Sequence, residues 1–326
     1  MAKESKKETT SPSTTNNIVE EIILPGEFNN QALWNKIMLG SLVAVFILMT
    51  LMSFSYGLSG DEVDMNEYGK AILKYFLSFG SDQTVFNMPK EYNRDGVIQY
   101  YGGLFDLICA IVNSISPFEE YTTRHILNAW SGFLAIFFAT KIVKFLLNEQ
   151  AATIAIWIMF ASPFFLGHAM NNPKDIPFAA AYIMAIWNII RLFNKLPDAS
   201  KLDYIWAILS IGATINIRVG GILLIPYLFV FACIIYFNHV FVYKKYVMIT
   251  SFAKPVFIVS IAGYLCGSLL WPYGLQSPLN NPLTALSEMS NFKVNILQLF
   301  EGTKIYSGEL PAYYLPKSIL ITSSYA

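Results

Sequence analysis

Charged side chains are scarce in this chain. Asp, Glu, Lys and Arg make up 13% of 326 residues, and 22 basic residues balance 22 acidic ones to a net charge of zero. Without a basic excess there is no electrostatic footprint for nucleic acid. Cysteine is rarer still: Cys109, Cys233 and Cys266 are scattered through apolar runs. That spacing fits neither a disulfide set nor a metal cluster, so they read as small core residues. Residues 1–30 do not read as a secretory leader, because they are rich in Ser, Thr, Asn, Lys and Glu where a leader would place its apolar stretch. Residues 1–35 read instead as a disordered cytoplasmic tail. Internal repeats and a soluble domain are not apparent.

Apolar residues are abundant, at 55% of the chain. Nearly uncharged segments recur from residue 37 onward, and a bilayer core takes about 20 apolar residues as helix. The expected fold class is therefore all-α, a polytopic membrane protein with about eight or nine apolar segments. Candidate spans are 36–57, 97–116, 125–147, 151–170, 176–194, 203–217, 219–239, 253–272 and 312–326. Two long polar loops, 58–96 and 273–311, interrupt the membrane domain of residues 36–326.

Lys/Arg bias sets the orientation. Lys3, Lys6, Lys7 and Lys36 precede the first span; Arg191, Lys195 and Lys201 cluster, as do Lys244, Lys245 and Lys254. With these on the cytoplasmic side, Asp61, Asp175, Arg218 and the second loop face the other way. Parity conflicts with this picture. Three apolar segments separate Asp61 from Asp175, and an odd number of crossings would put the acids on opposite faces. Either 97–116, which contains Asp106 and Asn113, does not cross, or the helices divide elsewhere.

Acids at a membrane boundary are costly and mark candidate functional sites. Asp61-Glu62 directly follows an uncharged run and opens the first loop. It reads either as a solvated loop start or as a general base able to take a proton from an acceptor hydroxyl. Asp175 lies in Asn171-Asn172-Pro173-Lys174-Asp175-Ile176-Pro177, where it is either a helix cap or part of a site with Lys174. His168, shortly before, is a satisfied polar residue or a site residue. Arg218, followed by Val219-Gly220-Gly221, is either a snorkelling arginine or a phosphate contact, since guanidinium forks match phosphate oxygens. Arg124-His125 carries the same two readings, and Lys293 is a further basic candidate in the second loop. Trp271-Pro272-Tyr273 and Glu309-Leu310-Pro311 flank that loop as an interfacial aromatic belt or as site borders.

Taken in order, Gly60-Asp61-Glu62, Tyr68-Gly69, Tyr101-Gly102-Gly103, Arg124, Gly167-His168 through Asp175-Ile176-Pro177, Arg218-Val219-Gly220-Gly221, Trp271-Pro272-Tyr273, Asn281-Pro282 and Glu309-Leu310-Pro311 resemble the GT-C glycosyltransferases. The chain is most similar to the dolichyl-phosphate-mannose–protein mannosyltransferase family and its bacterial relatives. The resemblance implies an integral membrane transferase that moves a sugar, mannose or similar, from a polyprenyl-phosphate donor to a protein, lipid or glycan hydroxyl, with inversion. It implies Asp61 as catalytic base with Glu62 beside it, and Asp175 as the second acid. Arg218 and Arg124 would hold the donor phosphate, with His168, Lys174 and Lys293 as further contacts. A divalent cation, if used, would sit at Asp61 and Asp175. Relatives continue through further helices, so the chain is expected to be an N-terminal portion. The modest second loop favours a bacterial-type enzyme of the inner membrane with an extracytoplasmic site. A secondary transporter and a catalytically inactive truncated paralogue are the competing readings.

Overall fold

The computed structural model describes residues 30–93, 95–242, 248–291 and 295–322. The first helix, α1 (Gln31–Ser53), begins inside the segment read as tail, the rest of which lies outside the described residues. After it come α2 (Glu62–Leu77), the short α3 (Leu104–Asn113) and the long α4 (Glu120–Leu146). Then follow α5 (Glu149–Ala161), α6 (Pro163–Asn171), α7 (Asp175–Asn194) and α8 (Lys201–Ile217). A 3-10 turn over Val219–Leu223 leads into α9 (Leu224–Phe237), followed by α10 (Thr250–Ser268), α11 (Pro272–Gln276) and α12 (Asn281–Ser290). A two-stranded antiparallel hairpin, β1 (Leu297–Phe300) and β2 (Thr303–Tyr306), precedes α13 (Tyr314–Thr322).

Among the described residues, five helices are long and apolar enough to cross a membrane: α1, α4, α7, the stretch Val219–Val242 and α10. A sixth crossing is made if the bent pair α5–α6 counts as one. This is fewer than the eight or nine segments expected, and the differences have local causes. Ser162-Pro163 breaks the run 151–170, because proline has no N–H to give and its ring clashes with the preceding turn. Ser162 caps α6, and the two halves meet at 69°. The 97–116 run yields only a 10-residue helix, about 15 Å long. Helix α8 has 17 residues and α13 only nine. The loop 58–96, long enough for short helices, holds α2, which buries Met65, Tyr68 and Ile72 against α3.

Side-chain contacts define the two ends of the bundle and resolve the parity conflict. At one end, Gln31 meets Glu149 and Lys144 meets Asn35, joining the start of α1, the end of α4 and the start of α5. At the other end, Asn66 of α2 donates to Glu120 at the start of α4, and Ser59 donates to the carbonyl of Asn171 at the end of α6. Helix α4 therefore starts at the end where α1 stops. The short α3 stays at that end, so Asp61 and Asp175 share it.

The helices form two packed groups. Leu42, Val45, Met49, Ile136 and Ile156 join α1, α4 and α5, whereas Ile189, Leu192, Ile211, Leu228 and Val259 join α7 through α10. Helices α4 and α7 pack along each other and link the groups. In lipid, association depends on close backbone approach rather than on burial of apolar surface. Helices α8 and α10 show this: a Cβ on Gly212 would stand 2.7 Å from Cys266 Sγ, and one on Gly267 2.6 Å from Ile215. Cys266 thus has a packing role and Cys109 is buried, but Cys233 faces outward rather than into a core.

A buried ion pair holds α3 to α4. Arg124 Nη2 lies 2.7 Å from Asp106 Oδ1, with both side chains almost fully buried. Removing one partner strands the other charge, so Arg124→Ala is expected to destabilise the protein by about 3–5 kcal/mol. The double change Asp106→Leu with Arg124→Met should recover most of that loss. Unfolding midpoints of wild type and the two variants in one detergent check both expectations.

Candidate active site

The loop between α1 and α2 is positioned by a buried carboxylate. Glu62, 1% exposed, accepts a hydrogen bond from the backbone N–H of Ser59 at 2.7 Å and faces His125 Nε2 of α4 at 3.0 Å. An imidazole with its proton on Nε2 donates to this carboxylate. From the other side, Asn171 donates to the carbonyl of Gly57, and Ser59 Oγ to the carbonyl of Asn171. The loop is thus clamped by α4 and by α6. Asp61, next to the buried Glu62, points outward with 63% of its side chain exposed.

The Asn-Asn-Pro-Lys-Asp turn between α6 and α7 faces Asp61. Asn172 organises it: its Oδ1 accepts from the backbone N–H groups of Lys174 and Asp175, and its Nδ2 donates to Asp175 Oδ2 at 3.0 Å. The same amide nitrogen meets His168 Nδ1 at 3.1 Å. Lys174 reaches Asp61 at 3.1 Å, and Arg218, at the end of α8, reaches Asp175 at 2.6 Å. Both cations lie over one ring, with Lys174 Nζ 4.6 Å and the Arg218 guanidinium carbon 5.7 Å from the Tyr101 centroid. A cation within about 6 Å of a ring centroid is attracted by the ring quadrupole.

Tyr101 is held by a tight turn that needs its glycines. Gly103 has φ +124°, and a Cβ on Gly102 would fall 1.6 Å from the carbonyl oxygen of Asn216, two residues before Arg218. The Tyr68 hydroxyl donates to the carbonyls of Tyr101 and Gly102. Burial pushes the Tyr68 phenol well above its ordinary value, so it remains a donor. Trp271, fully buried, pins the preceding 3-10 turn by donating to the carbonyl of Gln99 at 2.8 Å. It is a packing anchor, not a member of an interfacial belt.

Two cavities meet at Asp61. The larger, about 420 Å³, is lined by Asp61, Asp64, Tyr92, Asn93, Asp95, Tyr101, Lys174 and Ile296 among others. The smaller, about 230 Å³, lies between Ser59, Gly60, Asp61, His168, Asn171, Asn172 and Pro173. The structure thus brings Asp61, His168, Lys174, Asp175 and Arg218 together. It does not bring Glu62 or Arg124 to the cavities: both are buried behind them, one on His125 and the other on Asp106. Lys293 lies outside the described residues. Among the described residues no three His, Cys, Asp or Glu side chains converge as a metal site, and Asp61 and Asp175 are each matched to a cation. Asn172 and Tyr101 are site elements that reading the sequence for charge passes over. The Tyr-Gly-Gly run was the signal for Tyr101, since paired glycines mark close backbone approach, and the Asn-Asn-Pro turn before Asp175 was the signal for Asn172.

Residues 104–262 match the family model described as dolichyl-phosphate-mannose-protein mannosyltransferase. The resemblance read from the sequence is borne out over that segment, which runs from α3 into α10. It takes in Arg124, His168, Lys174, Asp175 and Arg218 but begins after Asp61 and Tyr101. No curated protein and no solved structure matches the chain.

Removing the imidazole from behind Asp61 leaves a buried carboxyl short of a donor. His125→Ala is expected to cost about 1–3 kcal/mol, the range for an unsatisfied buried polar group. His125→Gln keeps an N–H in reach of Glu62 and should recover much of it. Thermal unfolding of the purified variants in detergent distinguishes the two.

Proposed function

We propose, on the premise that the α3 to α10 segment carries this mannosyltransferase family's pattern, that the chain is a multi-pass GT-C glycosyltransferase. It moves a sugar from a polyprenyl-phosphate donor to a hydroxyl acceptor. The observation that carries this reading is the row Asp61–Lys174–Tyr101–Arg218–Asp175 at one end of the bundle, with an accessible carboxylate at the mouth of the larger cavity.

Asp61 is the general base. It takes the proton of the acceptor hydroxyl as that oxygen attacks the anomeric carbon from the face opposite the phosphate. The carbon–oxygen bond to phosphate breaks, and its electron pair leaves on the phosphate oxygen. Inversion follows from a single displacement. Arg218 receives the growing charge: one end of its guanidinium pairs with Asp175, while Nε has no partner among the described residues. A buried guanidinium N–H without a protein partner suits a phosphate oxygen. Lys174 adds the second positive charge, and Asp175 fixes the guanidinium.

The bundle end opposite the site has the more basic short links, with Lys141 and Lys144 before one and Arg191, Lys195 and Lys201 around another. This supports a cytoplasmic position for that end and an extracytoplasmic site, as in a bacterial inner membrane.

Asp61→Asn should lower transfer by about 10²- to 10⁴-fold, the usual contribution of a general base, while donor affinity stays near wild type. Arg218→Ala should weaken donor binding by about 10- to 100-fold, the worth of a charged hydrogen bond. Transfer assays and lipid-binding titrations on the same preparations measure both. An Asp61→Asn protein with wild-type turnover removes that carboxylate from the mechanism.

A further inference from the structure

The carboxylate read as the base is held by a cation that the donor phosphate also attracts. Lys174 Nζ lies 3.1 Å from Asp61 Oδ2. Asp61 stands at the N-cap of α2, where an aspartate commonly accepts a backbone N–H, yet its side chain makes no capping bond. The helix thus leaves this carboxylate to Lys174. Both residues line the larger cavity, so the ammonium stands in the space from which a hydroxyl would approach Oδ2. An oxygen occupied by an ammonium N–H is not open to the proton of an acceptor.

Lys174 can leave Asp61 without moving the chain. Its backbone follows Pro173, and its N–H is fixed on Asn172 Oδ1 at 3.2 Å. Only the flexible four-carbon stem has to turn. Its tip lies 4.6 Å from the Tyr101 centroid, and the Arg218 guanidinium carbon lies 5.7 Å from the same centroid. One ring therefore keeps the ammonium near both its carboxylate and the guanidinium. The Asp61 side chain is largely exposed, and an ion pair open to water is weak and readily exchanged. The other pair is anchored twice: Asp175 takes Arg218 at 2.6 Å and the amide of Asn172 at 3.0 Å. Of the two cations, Arg218 is the fixed one and Lys174 the one free to swing. A phosphate held by Arg218 offers that ammonium a charge-assisted hydrogen bond in place of the one to Asp61.

We infer that Lys174 couples the two substrates: the donor phosphate draws its ammonium off Asp61 and so opens the base to the acceptor. The inference rests on the donor reading given above and adds an order to it, donor before acceptor. As the bond from the anomeric carbon to the phosphate breaks, the leaving oxygen gains negative charge and draws Lys174 further. The carboxylate that Lys174 has left takes the proton of the attacking hydroxyl. A single side chain thus ties the charge on the leaving group to access to the base.

Carbodiimide chemistry reads this contact directly, on protein in phosphatidylcholine nanodiscs. A water-soluble carbodiimide activates the Asp61 carboxyl. The Lys174 amine, when in contact, condenses with it to an isopeptide bond with loss of water; added glycine ethyl ester takes the carboxyl when Lys174 is away. Peptide mass spectrometry measures both products. Before any lipid phosphate is added the Asp61–Lys174 cross-link should dominate, and Lys174→Gln should abolish it. Saturating polyprenyl phosphate should lower the cross-link at least about tenfold, the worth of one charged hydrogen bond, and raise ester labelling of Asp61. Polyprenol, which has the chain without the phosphate, should change neither. An unchanged cross-link at saturation overturns the coupling but leaves the donor site standing, provided Arg218→Ala weakens polyprenyl phosphate binding. A fall in both products also overturns it, since the lipid would then merely cover Asp61. So does an equal shift with polyprenol or with phosphatidylglycerol, or ester labelling in place of the cross-link before lipid phosphate is added. Failure of folded wild type to bind polyprenyl phosphate removes the donor reading and the coupling together.

Discussion

An ionised side chain beside a bilayer has little water to fall back on, and leaving it unpaired costs several kcal/mol. That constraint organises this structure. Asp106 pairs with Arg124, Glu62 with His125, Asp61 with Lys174, Asp175 with Arg218, and Asp203 with both Arg191 and Lys195. Each of these pairs joins residues from different elements or from the two sides of a helix connection. The first two lie inside and hold α2 and α3 to α4. Of the next two, Asp61–Lys174 lines a cavity, and together they hold the loop after α1, the α6–α7 turn and the end of α8 around one ring. The last closes the opposite end, between α7 and α8. Pairing satisfies the charges and at the same time decides which helix ends meet.

The buried pairs and the exposed pairs divide the work. Glu62 and His125 are sealed from solvent, and their bond to the Ser59 backbone fixes where Asp61 begins. Asp61 itself stays accessible. A buried inner layer thus positions an accessible outer one, the arrangement expected when a site's supporting side chains have no freedom of their own. The glycine turn at 101–103 has the same character. It lets the Tyr101 backbone come against the end of α8, so that one ring lies under cations from two helices.

Much of this was legible in the sequence. Apolar runs separated by polar stretches gave the all-helical membrane class, and carboxylates at the ends of those runs marked Asp61 and Asp175. Lys174 stood out as a pair with Asp175 beyond what capping requires, and Arg218 as either a snorkelling arginine or a phosphate contact beside glycines. Segment counting gave more runs than the five or six spans found among the described residues, since hydropathy is summed over a window and does not register that Ser162-Pro163 bends a run or that 97–116 supplies only three helical turns. Arg124 and Glu62 looked like site residues on charge alone. Whether such a group faces a cavity or a buried partner depends on residues far away in the chain, here Asp106 and His125.

By itself, then, the sequence determined the class of fold, the helix breaks encoded by proline and glycine, and which charged residues needed partners, because each follows from local chemistry. The tertiary structure decided which partner each charge found. It also decided that α3 stays at one end so that two acids face each other, and that Tyr101 and Asn172 complete the site. Those outcomes depend on helix ends separated by tens to more than a hundred residues being brought within a few ångströms, and no local pattern encodes that proximity.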